Sequence, residues 1–559
     1  MKEQGKTMAI EGRNIFLELN GEDLRLDEVW QIAHAGHPSS NRFEVKLSER
    51  AQQAMRQSRS YIESRISKGE AIYGVNTGFG AFSSVRISDE EIETLQRNLI
   101  RSHSVGVGDY FTKEQARAIL LLRANALARG HSGIRVEVVE KLLEFLNQDI
   151  IPAIPQQGSV GASGDLAPLS HLALAIIGEG KVFDPDDEEF YLARTAGRSE
   201  VRYPRVVPAS EVLKRKGVDP LDLKAKEGLS MINGCQVMTA VGLLAAYEAK
   251  NLSLLTDLAG AMTLEALQGA RSAFDPLITS VRPHEGEAKT ARNLSKILGS
   301  TSPIAEFHKN CGRVQDAYSL RCMPAVHGAA KDALRRGIDV LQVEANSSTD
   351  NPLVFASASR SNQSHLDSGK ILSCGNFHGE PVAFQLDFMA IALSAMASIS
   401  ECRIEKLINP AMSGLPAFLA PKGGLNSGHM IVQVAAAALV SENKILSHPA
   451  SVDSIPTSAD KEDHVSMGTI AARKFLMIVR NAESILAMEF LAAAQALDLL
   501  RDENGNRIPP SGYVKAAYDV IRSKVPYAEN DRVFHDDIEA VRSLIRSGRL
   551  IELCENLEF

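Results

Sequence analysis

The 559-residue chain is poor in aromatic side chains, at 5%, and carries a single tryptophan, Trp30. Its interior must therefore be filled largely by Ala and Leu, which favour helix. Six cysteines (Cys235, Cys311, Cys322, Cys374, Cys402 and Cys554) stand without CxxC spacing. That excludes a sequence-evident zinc knuckle or disulfide framework and fits a reducing compartment. No HExxH-like spacing is present, so no metal is expected. Positive charge is not in excess: the net charge is −8, which gives no reason to expect a nucleic-acid or membrane partner. The stretch MKEQGKTMAIEGRN lacks an apolar core of signal-peptide length, and runs such as VAAAALV at 434–440 are too short to span a bilayer. A cytoplasmic location is the expectation.

Helical periodicity dominates what is present. SERAQQAMRQSRSYIESRI (48–66) predicts a helix with Ser48 as N-cap, ending before Gly69. IYGVNTGFGAFSSVRI (72–87) reads as a glycine-rich loop, and DEEIETLQRNLIRSH (89–103) resumes helix. VRYPRVVP (201–208) is strand-like. From about residue 228 the pattern becomes long apolar helices at 236–270, 325–346, 381–408 and 466–500, with a more surface-like helix at 511–525. Several are apolar on more than one face, as in the middle of a bundle or a subunit interface. The expected fold is mainly α: a central long-helix bundle with a smaller mixed N-terminal region. The expected regions are 1–227, 228–505 and 506–559.

The most specific stretch is GSVGASGDLAPLSH, residues 158–171. In a tight enough turn the Gly164 nitrogen can attack the Ala162 carbonyl carbon, because glycine has no Cβ to block the approach. Loss of one water closes a five-membered ring, and dehydration of Ser163 leaves an exocyclic methylidene. The product is an electrophile made from backbone, a function that side chains do not otherwise supply. Asp165 could brace the turn by accepting hydrogen bonds, or cap the following helix.

An electrophile that captures an amino acid needs a base, a cation for the carboxylate and a pocket. Tyr73 in the glycine-rich loop is the candidate base. Arg321 suits a carboxylate through bidentate pairing. Gln315, Tyr318 and Arg321 fall at i, i+3 and i+6, along roughly one face if that segment is helical. Asn233 in GLSMINGCQ could hydrogen-bond the electrophile or the substrate.

Taken in order, YGVNTGFG, RSHSVGVG, GSVGASGDLAPLSH, EGLSMINGCQ, QDAYSLRC, DNPLVF, GNFHGEPVAF and SENKILSHPASVDSIPTSADKEDHVSMG resemble the aromatic amino acid ammonia-lyases and aminomutases. Members of that family use 4-methylidene-imidazol-5-one (MIO). The resemblance implies an MIO formed autocatalytically from Ala162, Ser163 and Gly164, with no external cofactor. It also implies a homotetramer whose sites are shared between subunits.

Three features resemble the histidine-specific members: Ser102-His103 at the ring-selecting pair, Glu401 at a position where a carboxylate faces the imidazole, and the block at 447–468. The implied reaction converts L-histidine to trans-urocanate and ammonia. Tyr73 takes a β-proton and Arg321 holds the carboxylate, supported by Tyr318 and Gln315. His103 and Glu401 orient the ring, and Asn233 and Phe377 line the pocket. A tyrosine or phenylalanine lyase, or a 2,3-aminomutase, would use the same chemistry.

Overall fold

The computed structural model describes residues 15–35, 43–78, 85–187, 190, 204–307, 314–356 and 369–559. It is mainly α, as the Ala/Leu-rich periodicity predicts. The Glu49–Ser67 helix starts where expected, with the Ser48 side chain accepting from the Ala51 amide at 3.1 Å. Helix α1 (Ile92–His103) carries Ser102 and His103 at its C-terminal end, and α2 (Leu166–Ile176) leaves directly from the Ala-Ser-Gly loop.

Four long helices form the core, α3 (Gln236–Ala266), α4 (Met323–Ala345), α5 (Glu380–Ile408) and α7 (Gly468–Leu499), and α6 (Met430–Leu446) packs on their outside with only Val432, Ala436 and Asn443 buried. At 1.5 Å per residue the 32-residue α7 is about 48 Å long. The C-terminal halves of α3 and α7 are buried all round, from Leu252 to Ala266 and from Ile485 to Asp498. This accounts for their apolar character on every face. Helix α5 packs on α3, α4, α6 and α7. Gly242 of α3 permits one close approach, since a Cβ there would stand 2.7 Å from Leu386 of α5.

Helix α5 corrects one expectation. Uninterrupted apolar runs are short in this sequence. By length and composition, however, α5 is apolar enough to cross a membrane over its most apolar stretch. Most of that stretch is instead buried within the bundle.

Two groups of opposite charges are buried between the long helices. Arg403 of α5 donates from Nε to Glu489 of α7 at 2.5 Å, and Lys331 and His327 of α4 both reach Asp257 of α3. All five side chains are fully buried. Removing one partner from such a pair typically costs about 3–5 kcal/mol.

Strand structure among the described residues is limited to four two-stranded ribbons. One pairs Lys181–Phe183 antiparallel with Val206–Pro208, so the strand expected at 201–208 is seen at its end. Residues 201–203 lie outside the described residues, as do 79–84 of the glycine-rich loop and 309–313 of the polar segment. The main hydrophobic core is continuous from Leu19 to Cys554.

Candidate active site

Four helices begin at the Ala-Ser-Gly loop. Helix α2 starts one residue after Asp165. From the start of α3, the Val237 and Met238 amides both donate to Asp165 Oδ2 at 2.9 Å. Before α5, the Gly379 amide donates to the Gly161 carbonyl at 3.3 Å, and before α7 the Met467 amide donates to the Val160 carbonyl at 2.8 Å. The positive ends of four helix dipoles therefore converge on one short turn and favour negative charge there.

The turn is tight at Gly164. Gly164 has φ +73°, and a Cβ at this position would overlap the Gly234 carbonyl. Only glycine fits at this position. Asp165 is fully buried and braces the turn as expected. Besides the two α3 amides it accepts from Ser159 Oγ at 3.0 Å and from Thr469 Oγ1. Burial pushes its carboxyl above the usual range, with those hydrogen bonds pulling the other way.

The loop opens on a cavity of about 1250 Å³. Tyr73, Ser102, His103, Ala162, Ser163, Asn233 and Phe377 all line it, so seven of the twelve site residues expected from sequence meet in one place. Gly164 lies just behind them. Leu95, Leu99, Leu166 and Leu229 supply apolar wall. Tyr73 sits in a turn clamped by Asn76, whose Oδ1 accepts from the Ile72 amide at 2.8 Å and whose Nδ2 donates to the Glu70 carbonyl at 2.8 Å.

His103 Nδ1 lies 2.9 Å from the Leu99 carbonyl, its natural acceptor. This sets Nδ1 as the N–H and leaves Nε2 with a lone pair. Burial lowers the His103 pKa, against the opposing pull of that bond and of Glu462.

Asn233 is held from beneath by a buried network. Its Nδ2 donates to Asp350 Oδ1 at 3.1 Å; Lys226 Nζ and Ser230 Oγ each donate to Asp350 Oδ2 at 2.8 Å. Burial opposes ionisation of Asp350, but the Lys226 ammonium outweighs it and holds the carboxyl below the usual range. Arg123 donates to the Asn233 carbonyl at 2.9 Å, and burial pushes its guanidinium down to about 10.

One cavity residue beside Ser163 escaped sequence reasoning. Glu462 lines the cavity and accepts from Ser163 Oγ at 2.7 Å and from Thr457 Oγ1 at 2.8 Å. It is presented by a tight turn in which Ser458, Ala459 and Asp460 all have φ between 54° and 61°. Its segment, SADKEDHVSMG, was visible in the sequence, but Asp460, Glu462 and Asp463 look equivalent there.

The other four expected residues do not line this cavity within one chain. Glu401, on α5, accepts instead from Gln433 Nε2 of α6 at 2.6 Å. The expected helical face at 315–321 is only partly helical, because the helix spans Tyr318–Arg321 and Gln315 precedes it. The three side chains still meet: Arg321 lies over the Tyr318 ring at 4.6 Å and donates to Gln315 Oε1 at 3.4 Å. Tyr318 is 72% exposed.

Residues 24–523 match the aromatic amino acid lyase family. The chain is 48% identical over 536 residues to the histidine ammonia-lyase of Myxococcus xanthus, covering 95% of this chain and 97% of that one. Among solved structures it resembles histidine ammonia-lyase from Trypanosoma cruzi, with TM-score 0.84, 40% identity and coverage of 97% and 96%. It also resembles a tyrosine aminomutase from Streptomyces globisporus, with TM-score 0.86, 35% identity and coverage of 97% and 99%.

Proposed function

Because this chain belongs to the aromatic amino acid lyase family, we propose that it removes ammonia from L-histidine without oxidation, giving trans-urocanate. The observation that carries this reading is the meeting of His103 and Glu462 with Ser163 in one cavity. A neutral imidazole offers one N–H donor and one lone pair. Glu462 can accept the N–H, and a carboxylate would gain no such partner from a phenyl ring.

An MIO ring closed from Ala162, Ser163 and Gly164 would supply an electrophilic methylidene carbon for the substrate amine. The chain's own groups do the rest. Tyr73 takes a proton from Cβ. The Cα–N bond breaks with its electron pair going to nitrogen, and the Cα=Cβ double bond forms. Asn233, fixed by Asp350, presents its amide to the reacting end, and Phe377 packs beside it. The apolar wall excludes water and holds the C–H and C–N bonds in register with base and electrophile.

The carboxylate still needs a cation. Arg321, with Tyr318 and Gln315, fits that role if a second copy of the chain delivers it. Phe384, Phe388 and Ile391 form an exposed apolar stripe at i, i+4 and i+7 of α5, which supports self-association. A homotetramer with shared sites, working in the cytoplasm, is the assembly this reading takes.

The test is an ultraviolet assay with L-histidine, L-tyrosine and L-phenylalanine and no added cofactor. Urocanate from histidine alone is expected. Coumarate, cinnamate or a β-amino acid would overturn the histidine reading and keep the electrophile. Ser163→Ala should fold, lose nearly all activity, and keep the two waters that the wild-type chain sheds. Full activity in that variant would sink the MIO reading.

A further inference from the structure

Three side chains on the cavity wall are not used by the proposed reaction. His378 and Glu380 stand at the start of α5, and His464 lies two residues beyond Glu462. Each offers one ligand atom, and these atoms lie within 4.8 Å of one another. Sequence spacing could not show the group, because the turn carrying His464 is remote in the chain from the other two.

The two imidazoles lie parallel, 5° apart in plane and 5.7 Å between centroids. His378 Nε2 lies 3.2 Å from the His464 carbonyl, while its Nδ1 faces the Glu380 amide at 3.3 Å. Nε2 is therefore the N–H, and Nδ1 accepts only the long bond from the Glu380 amide, which an ion at Nδ1 would replace. Metal-binding imidazoles are typically oriented in this way, by giving the other ring N–H to a carbonyl. Glu380 Oε2 is buried and has no hydrogen-bond partner among the described residues; His464 Nε2 lies 3.9 Å from it. A buried oxygen left in that state is costly and calls for an ion or a water.

We propose that His378, Glu380 and His464 form a binding site for one divalent transition-metal ion of the zinc class. Two imidazole nitrogens and one carboxylate oxygen suit Zn²⁺, with an open position facing the cavity. Mg²⁺ and Ca²⁺ prefer oxygen ligands throughout. The positive end of α5 opposes a cation, but weakly beside three ligand bonds. The ion ties the turn that carries Glu462 to the first residues of α5. It thereby steadies the carboxylate that faces Ser163.

The site stands apart from the lyase reading, because binding is read without substrate or turnover. Calorimetry with Zn²⁺ alone on the chelator-stripped protein should give one ion per chain, and Mg²⁺ should give none. Glu380→Gln, His378→Ala and His464→Ala should each weaken Zn²⁺ by at least the roughly 10–100-fold that losing an outer-shell partner costs. Hydrogen exchange on the wild-type protein should show protection at 457–464 when Zn²⁺ is added, an outcome that does not depend on any variant folding. Absence of saturable Zn²⁺ binding overturns the proposal. So does equal affinity in all three variants, or protection confined to another segment.

Discussion

Glu462 accepts a 2.7 Å hydrogen bond from Ser163 Oγ although 299 residues separate them in the chain. The contact joins the tight turn before α7 to the loop before α2, and it puts a carboxylate beside the serine whose dehydration the proposed chemistry requires.

Glu462→Gln keeps the shape of the side chain and removes its charge. It should lower kcat/KM with L-histidine by about 10–100-fold, the range for a lost hydrogen bond to a charged group. The intact mass should still show loss of two waters. Unchanged steady-state kinetics would remove Glu462 from the reaction.

Gly164→Ala would force a left-handed residue, at roughly 1–2 kcal/mol, and drive a methyl into the Gly234 carbonyl. The variant should melt at a lower temperature and show the full unprocessed mass. A processed mass would mean that ring closure tolerates a Cβ.

Lys226→Met leaves Asp350 buried without its main counter-charge. Stability should fall by about 3–5 kcal/mol in denaturant titration. Because Asp350 also holds Asn233, kcat should fall as well under conditions where the variant stays folded.

A shared site can be shown by complementation. Ser163→Ala and Arg321→Ala should each be inactive alone. Subunits of the two, dissociated and reassembled together, should regain a fraction of wild-type activity. No recovery in confirmed mixed oligomers would place Arg321 and Ser163 in the same chain's site.

His429 is fully buried, and burial, with Arg522 and Arg532 nearby, pushes its pKa down to about 4. Above pH ~6.5 the folded and unfolded chains both carry it neutral. Between pH ~6.5 and about 4 only the unfolded chain takes up the proton, so the stability present at neutral pH declines on acidification, by about 3 kcal/mol for this group. Urea midpoints from pH 7 to pH 4 should fall, and His429→Asn should flatten part of that slope.

The helices and the Ala-Ser-Gly loop were legible because their signals are local. Ser48 caps the helix it precedes, and α7 lies within two residues of its expected ends. The choice between Glu401 and Glu462 was not legible. Both carboxylates sit in segments typical of the family, but Glu401 meets Gln433 while a turn of three left-handed residues swings Glu462 to Ser163. The same holds for His378, Glu380 and His464.

By itself the sequence determined the helix periods, the backbone chemistry of Ala162, Ser163 and Gly164, and the residue types a site could draw on, since each follows from neighbours within a few turns. Only the tertiary structure decided which of many similar carboxylates and imidazoles converge. Convergence depends on where four helix starts are brought by burying the long bundle, and that packing is a property of the whole chain.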